Sequence, residues 1–269
     1  MTGSGTQADP YILTTWQELI ASRGQNTYSV WQGGDLDFNT IAPNGFTSVV
    51  KIYGAVNFNN ATFKNLYIKN GGLYFYNGVG SIQKLNLINC YIIPEYSAIS
   101  FGTALNNYVD DVKISMLVSP NADSKTLIGC DYGSNGNLYL RRCAITINCI
   151  TSYIVYLSYT SGNFQDCIFN FNIKQSGTVL SQYQRSNFIN CKVNGQVLNT
   201  SGNSIGLGSS NSATFFNFDS GTYTASSNTT SVYDSSKCTI TGTNVTGCTT
   251  AQLGNAEYLR SIGFPIGGD

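Results

Sequence analysis

A six-residue pattern recurs along the chain and constrains the fold more than any other feature. It runs apolar, any, any, Cys or another small or apolar residue, any, apolar. The clearest copies carry Cys at the fourth position and occupy residues 87–92, 140–145, 164–169 and 188–193. Weaker copies with Leu, Val or Gly at that position occupy residues 63–68, 109–114 and 218–223. Such a repeat is the signature of a stacked-repeat architecture.

The fourth position of the pattern gives its period. It falls at residues 66, 90, 112, 143, 167, 191 and 221, so successive copies are 24, 22, 31, 24, 24 and 30 residues apart. Turn-rich segments, and no crossover helices, separate the copies. Short strands joined in this way predict an all-β, single-stranded right-handed parallel β-helix, a solenoid of roughly eight to ten coils. The two longer steps predict protruding loops around residues 118–136 and 196–212.

Composition excludes several classes of function. The 14 acidic and 14 basic residues cancel, so there is no overall field to attract nucleic acid or an anionic membrane. Histidine is absent, which removes the commonest general base and the Ser/His/Asp and Cys/His arrangements. No apolar run approaches the ~18 residues that span a bilayer. We therefore expect no nucleic-acid partner, no membrane insertion, no cofactor and no metal site.

Four cysteines share the fourth position of the pattern: Cys90, Cys143, Cys167 and Cys191. We expect them to form one column of buried free thiols, since Cys is among the residues most often buried. Stacked strands hold equivalent residues ~4.8 Å apart, wider than the ~3.8 Å Cβ separation of a disulfide. Free thiols also suit assembly in a reducing compartment. Residues 1–6 show no signal-peptide character, so we expect assembly in a cytoplasm, although cleavage of a signal peptide would leave the same sequence.

Both ends of the chain carry helix signals. Residues 15–18 form a capping-box pattern that predicts a short helix over residues 16–23, and residues 249–252 form a second one. Because open sheet edges invite aggregation, we interpret both helices as caps, with ordinary surface helices as the alternative. The chain is then one domain, residues 1–269. Its parts are an N-terminal cap with the first strand (1–45), the coils (46–245) and a C-terminal cap (246–269).

The two ends also carry a resemblance. Residues 3–12 (GSGTQADPYI), 16–19 (WQEL) and 34–38 (GDLDF) resemble the opening of a broad bacterial and phage group. Its members begin G-x-G-T-x-x-D-P-Y-x-I, continue through a short helix, and enter a right-handed β-helix of the pectate-lyase-like superfamily at a D-I-D-F/L strand. Residues 258–265 are similar to an ending seen in the same group. The resemblance implies this fold in adhesins or virion parts, and it implies no single activity.

One charged cluster is the best candidate for chemistry, because β-helices that cleave polysaccharides place carboxylates on one exposed strand face. Stacking the copies puts Asp111, Arg142 and Asp166 at one position of consecutive coils, and Asp110 beside Arg141. Charges that alternate at ~5 Å predict a cross-strand ion-pair ladder. If the protein is instead an enzyme or binds calcium, the residues expected to act are Asp110, Asp111, Asp166 and Arg142.

Other polar and aromatic residues have structural explanations beside functional ones. Asn65, Asn89 and Asn190 predict an amide ladder that satisfies backbone groups at a turn. Asp35 and Asp37 could form a carboxylate pair, but we expect them to accept hydrogen bonds from turn amides. Aromatic residues that could stack on sugar rings, or pack as core or lateral stacks, are Tyr74, Phe75, Tyr76, Tyr153, Tyr156 and Tyr159.

These observations favour a non-enzymatic virion protein of a bacteriophage, such as a tail, baseplate or head-decoration component or a fibre. Its expected partners are other virion proteins, itself (as a homotrimer) and a glycan of the host surface. The first alternative is an exported cell-surface adhesin or glycan-binding module of a bacterium. The second is a polysaccharide lyase or hydrolase.

Overall fold

The computed structural model shows stacked, all-parallel β-sheets, which define a β-solenoid. It describes residues 1–78, 80–94, 97–102, 106–118, 126–129, 137–149, 162–173, 178–180, 186–189, 191–197, 203–205, 214–218, 222–224 and 230–264.

The strands are short, and most lie one coil apart from the strand on which they stack. The first fourteen are β1 (Tyr11–Leu13), β2 (Tyr28–Trp31), β3 (Leu36–Asp37), β4 (Val50–Tyr53), β5 (Ala55–Asn57), β6 (Thr62–Lys64), β7 (Tyr67–Ile68), β8 (Leu73–Tyr76), β9 (Ser81–Gln83), β10 (Asn86–Ile92), β11 (Ser97–Phe101), β12 (Asn106–Asp110), β13 (Lys113–Val118) and β14 (Thr126–Gly129). The others are β15 (Asn137–Arg141), β16 (Ala144–Cys149), β17 (Gly162–Gln165), β18 (Ile168–Ile173), β19 (Thr178–Leu180), β20 (Ser186–Ile189), β21 (Cys191–Val197), β22 (Asn203–Ile205), β23 (Thr214–Phe218), β24 (Thr222–Thr224), β25 (Ser231–Asp234), β26 (Thr239–Thr241) and β27 (Val245–Cys248).

Four sheets run along the stack. The eight-stranded sheet has the order β1-β2-β5-β9-β12-β15-β17-β20. The eleven-stranded sheet has the order β3-β6-β10-β13-β16-β18-β21-β23-β25-β27, and β7 also pairs with β10. Two four-stranded sheets, β4-β8-β11-β14 and β19-β22-β24-β26, complete the coils. β14 and β22 lie inside the segments predicted as protruding loops, so those predictions were partly wrong.

Apolar alternation builds the core, because every second side chain of a strand points inward. In the eight-stranded sheet Val109, Leu140 and Phe164 align on consecutive strands, and all three are buried. In the eleven-stranded sheet Ile145 pairs with Phe169 in the same way. Inward side chains of all four sheets form one continuous apolar cluster from Leu13 to Ile240. The stack is therefore held together by a single long core.

A sharp corner joins the eight-stranded sheet to the eleven-stranded sheet in five coils of the described part of the chain. It ends with one residue in the left-handed conformation followed by one buried residue. The left-handed residues have φ between 53° and 63° and are Asn60, Lys84, Asp111, Arg142 and Asp166. Their backbone N–H groups bond across coils, as from Asp111 to the Arg141 carbonyl at 3.0 Å and from Arg142 to the Gln165 carbonyl at 3.0 Å. The corner thus turns the chain while its backbone groups stay paired.

The predicted register is confirmed for every tested step between residues 66 and 191 except the one from Cys90 to Val112. The copies at 63–68 and 87–92 are aligned, since Tyr67 pairs with Tyr91 and Ile68 with Ile92. Val112, Cys143, Cys167 and Cys191 lie in one column, since Lys113, Ala144, Ile168 and Lys192 pair in succession. Leu85, rather than Cys90, lies below Val112, because Asn86 pairs with Lys113. Cys90 aligns instead with Met116. The cause is a register shift between Leu87 and Cys90, where Asn89 adopts a left-handed φ of 53°.

The last copy of the pattern was also misplaced. The column above Cys191 continues to Thr214, which pairs with it directly. Gly221, the marker of residues 218–223, lies outside the described residues.

The N-terminal helix signal is confirmed, although the helix is shorter than predicted. α1 (Trp16–Ile20) begins with the capping box of Thr15 and Glu18. Trp16 packs edge-on against Phe38 with ring centroids 4.9 Å apart, and it also contacts Phe46 and Phe63 of the core. A second helix, α2 (Phe38–Ile41), follows β3 with Asp37 as its N-cap. The first coil is thus covered by an aromatic cluster.

The C-terminal capping box of Thr249 and Gln252 is confirmed as well, and it starts α3 (Thr250–Leu253). A further helix, α4 (Ala256–Ser261), follows with Asn255 as its N-cap. The apolar side chains of both helices form a cluster separate from the core, in which Leu259 packs with Val232 and Phe215. Val232 and Phe215 are register partners whose neighbours Tyr233 and Phe216 point inward. The helices therefore rest on the outer face of the eleven-stranded sheet. Among the described residues, no helix has the length and apolarity needed to cross a membrane.

Candidate functional site

The stacked thiols are the first predicted feature that the structure brings together. Cys143, Cys167 and Cys191 are at most 2% exposed and unpaired by disulfides. Cys167 Sγ donates to the Leu140 carbonyl at 3.4 Å, and Cys191 Sγ donates to the Phe164 carbonyl at 3.3 Å. A hydrogen bond with the Cys167 thiol, followed by burial, raises the pKa of Cys143. These thiols fill the corner and donate hydrogen bonds to its backbone carbonyls. Their role in this arrangement is structural.

Cys90 stands apart from this column. It is buried beside Leu66 in the shifted part of the stack, and its Sγ lies 3.7 Å from the Ile88 carbonyl. Desolvation by burial raises its pKa to about 11. Among the described residues, no group of three or more His, Cys, Asp and Glu side chains is placed to hold a metal ion.

The predicted ion-pair ladder is present at the same corner. Arg141 donates from Nε to Asp110 Oδ1 at 2.5 Å and from Nη2 to Oδ2 at 2.8 Å. Arg142 forms the same two-point contact with Asp111, at 2.7 Å and 2.9 Å. Asp166 occupies the next position of the column, with the same left-handed backbone. Below Asp111 the column continues to Lys84, so its charges alternate over four coils.

The two ion pairs differ in burial. The Asp110 side chain is 6% exposed, whereas the Asp111 side chain is 39% exposed. The hydrogen bond from Arg142 lowers the pKa of Asp111, and the hydrogen bond to Asp110 raises the pKa of Arg141. A carboxylate held at both oxygens by a guanidinium is stabilised in its charged form and is a poor proton donor. The arrangement suits cohesion between coils.

The amide ladder is confirmed for two of its three members, in a different column. Asn89 Nδ2 donates to Asn65 Oδ1 at 2.7 Å, and Asn65 Nδ2 donates to Asp37 Oδ1 at 2.9 Å. Both asparagines have left-handed backbones, and each lies five residues after the corner residue of its own coil, Asn60 or Lys84. They therefore lie at a second turn, away from the column of Asp111 and Asp166. Asn190 lies outside the described residues.

Asp35 and Asp37 behave as turn acceptors, as predicted. Asp35 Oδ1 accepts from the Thr62 N–H at 2.7 Å, and Asp37 Oδ1 accepts from the Asn39 N–H at 3.1 Å. The hydrogen bond from the Asn65 amide is the largest cause that lowers the pKa of Asp37. Each carboxylate thus connects neighbouring segments near the first coil.

The predicted aromatic segment forms part of a lateral stack. Phe75 is buried and stacks on Phe101 with centroids 5.1 Å apart. Tyr76 packs against Tyr53 at 5.5 Å, with Lys51 Nζ 5.1 Å above its ring. The loop tyrosines Tyr153, Tyr156 and Tyr159 lie outside the described residues.

Sequence reasoning missed a polar and aromatic surface on the outer face of the eight-stranded sheet. Tyr108 and Tyr139 stack there with ring centroids 4.8 Å apart and an interplanar angle of 19°. The Arg141 guanidinium lies 5.4 Å from the centre of the Tyr108 ring. The available signal was the alternation Tyr108, Val109, Asp110 and Tyr139, Leu140, Arg141, which places each tyrosine on the same face as a charged residue.

Lower on this face lies a groove of about 280 Å³ between the N-terminal segment and the sheet. Ala55 and Ser81 form its floor, and Asn57 and Gln83 form one side. Tyr28 and Gly80 also line it, and every residue that lines the groove is uncharged. Comparison of the chain with protein-family models, curated proteins and solved structures gave no match.

Proposed function

We propose that the chain is a non-enzymatic structural protein of a bacteriophage particle, in the tail, the baseplate or the head decoration, or as a fibre. Its partners in this proposal are other virion proteins, further copies of itself in a homotrimer, and the host surface. The proposal includes a right-handed coil of the pectate-lyase-like kind, with α1 as its N-terminal cap. The predicted C-terminal cap is replaced by helices that pack on the side of the stack. A stack of paired coils suits a part that must persist outside a cell and present a long lateral face.

The observation that supports the proposal most strongly is the pairing of two of the three candidate catalytic carboxylates. Asp110 and Asp111 are each engaged at both oxygens by Arg141 and Arg142. Catalytic carboxylates that cleave glycosidic bonds flank a space for substrate and differ in protonation. Guanidinium pairs within a flat ladder favour a cohesive role instead.

Mass spectrometry of purified particles from the source organism tests the proposal. We expect peptides of this chain in washed particles, at a constant ratio to the major capsid protein. Recovery from the cell envelope or the secreted fraction, with none in particles, would refute the virion role and favour the surface adhesin. Activity on polysaccharides that is lost in both Asp110→Asn and Asp111→Asn would refute the non-enzymatic role.

A glycan-binding module is the second candidate, and the outer face of the eight-stranded sheet favours it. Stacked Tyr108 and Tyr139, flanked by amide and paired charged groups, resemble the mixture of ring and hydrogen-bonding surface that sugars require. This property is compatible with a virion part that touches the host and with an exported adhesin.

A further inference from the structure

The groove on the eight-stranded sheet lies where its outward tyrosine column is interrupted. Register places Tyr28, Ala55, Ser81, Tyr108 and Tyr139 in one column on successive strands. At the ~4.8 Å spacing of strands this column is ~19 Å long. Large rings occupy both of its ends, and the two positions between Tyr28 and Tyr108 carry only a methyl and a hydroxymethyl group. The sheet therefore has a slot with an aromatic wall at each end, and on its floor Ser81 is partly exposed and Ala55 is 4% exposed.

Both walls are held in place by neighbouring groups. Tyr108 is stacked on Tyr139 on one side, so its other face is directed toward Ser81 and the slot. The Tyr28 ring lies close to Ala55 and Gly80. A Cβ atom added at Gly80 would be 2.9 Å from the Tyr28 ring and 2.9 Å from the Ala55 Cβ. Gly80 has a φ of 65°, which favours glycine. The slot is thus built by the backbone as well as by side chains.

The side of the slot supplies hydrogen-bonding groups without charge. Asn57 and Gln83 are register partners on adjacent strands. Asn57 Oδ1 accepts from the Asn59 N–H at 3.0 Å, and Gln83 Nε2 donates to Ser81 Oγ. Within the described part of the chain, Asn57 Nδ2 and Gln83 Oε1 have no protein partner. One donor and one acceptor therefore border the slot a single strand apart.

We propose that this slot binds a neutral oligosaccharide, with a sugar ring placed against the free face of Tyr108 and its hydroxyls bonded to Asn57 and Gln83. Aromatic faces attract the polarised C–H groups of a pyranose, and adjacent amides match neighbouring hydroxyls, which both donate and accept. The residues that line the groove are uncharged, and the charged groups of the next two strands, Asp110 and Arg141, are paired with each other, so an acidic sugar would lose hydration without gaining an unpaired partner. The inference rests on the proposed contact with a host surface and names its ligand class.

Isothermal titration of the purified full chain tests the inference, with cello-, xylo- and malto-hexaose as neutral probes and hexagalacturonate as the acidic probe. We expect at least one neutral probe to bind with a Kd of ~1 mM or lower. The Kd of the acidic probe should be at least about tenfold higher. Ser81→Tyr would extend the ring column through the slot and weaken binding at least about tenfold. Tyr108→Phe keeps the ring and should bind like the native chain, whereas Tyr108→Ala should weaken binding about tenfold.

Ser115→Tyr is the matched control, because Ser115 is also a partly exposed, outward strand residue but lies on the eleven-stranded sheet. It should leave binding unchanged, and circular dichroism should show that all variants fold. No binding of any neutral probe, preference for hexagalacturonate, or native affinity in Ser81→Tyr would overturn the inference. None of these results bears on whether the chain occurs in particles, so failure here is distinguishable from failure of the virion role.

Discussion

Replacing Arg141 or Arg142 with methionine compares two ion pairs of the same chemistry that join the same two coils. The variants differ in what they leave behind. Arg141→Met leaves the Asp110 carboxylate, 6% exposed, without its two-point partner. Arg142→Met leaves the Asp111 carboxylate, which is 39% exposed and can be hydrated. Stability should therefore fall much further in the first variant than in the second.

The expected magnitudes follow from burial. Removing one partner of a fully buried pair costs ~3–5 kcal/mol, and a hydrogen bond to a charged group contributes ~1.5–3 kcal/mol. Because the Arg141 side chain is itself 43% exposed, water can partly replace it, and we expect a loss of ~2 kcal/mol. Exposed pairs contribute ~0–1 kcal/mol, so Arg142→Met should cost ~0.5 kcal/mol.

Urea denaturation followed by circular dichroism measures both losses, and urea, being uncharged, does not screen the ion pairs. The double variant Asp110→Asn/Arg141→Met removes the stranded charge and should recover part of the loss of Arg141→Met. Equal losses in the two single variants would refute the argument from burial. So would a double variant less stable than Arg141→Met alone.

Three further predictions concern the corner between the sheets. Cys143, Cys167 and Cys191 should resist iodoacetamide at pH 8 in the native protein and react in urea, as read by peptide mass spectrometry, because all three thiols are buried away from the reagent. Rapid native labelling would contradict the buried column. Lys84 has a left-handed φ of 55°, so Lys84→Gly should raise the free energy of unfolding by up to ~1 kcal/mol and with it the urea midpoint, whereas Lys84→Val should lower both. The reverse order would contradict the corner geometry. Asp111 has a lowered native pKa, so its contribution to stability is present above the unfolded value of ~3.9 and is lost as pH falls through the native pKa. The stability difference between the native chain and Asp111→Asn should therefore shrink below pH ~4, and a difference that grows there would contradict the assigned pairing.

The solenoid was predictable from sequence because each coil needs apolar side chains at the same inward positions, which produces a repeat in the sequence. The column of Val112, Cys143, Cys167 and Cys191 followed directly from spacing, as did the pairing of Arg141 with Asp110. Capping boxes at Thr15 and Thr249 were visible because they depend on local hydrogen bonds alone.

The register of Cys90 was not predictable in the same way. Both Leu85 and Cys90 precede an apolar alternation, and only the three-dimensional stack decides which of them meets Val112. The left-handed Asn89 adds a second turn within one strand. Asparagine tolerates this conformation, but its presence alone does not predict it. The slot near Ser81 was hidden for a related reason. A small residue creates a slot only when its neighbours on the adjacent strands are large, and Ser81 and Tyr108 are far apart in the sequence.

The corner column has a consequence for how the chain is synthesised. Ala144 meets Ile168, and Ile168 meets Lys192, each 24 positions later in the polypeptide. A newly made segment needs only the turn completed just before it as a template, so ordering can advance behind the ribosome. The aromatic cluster of Trp16, Phe38 and Phe63 precedes these coils in the polypeptide and offers a surface on which such growth can begin.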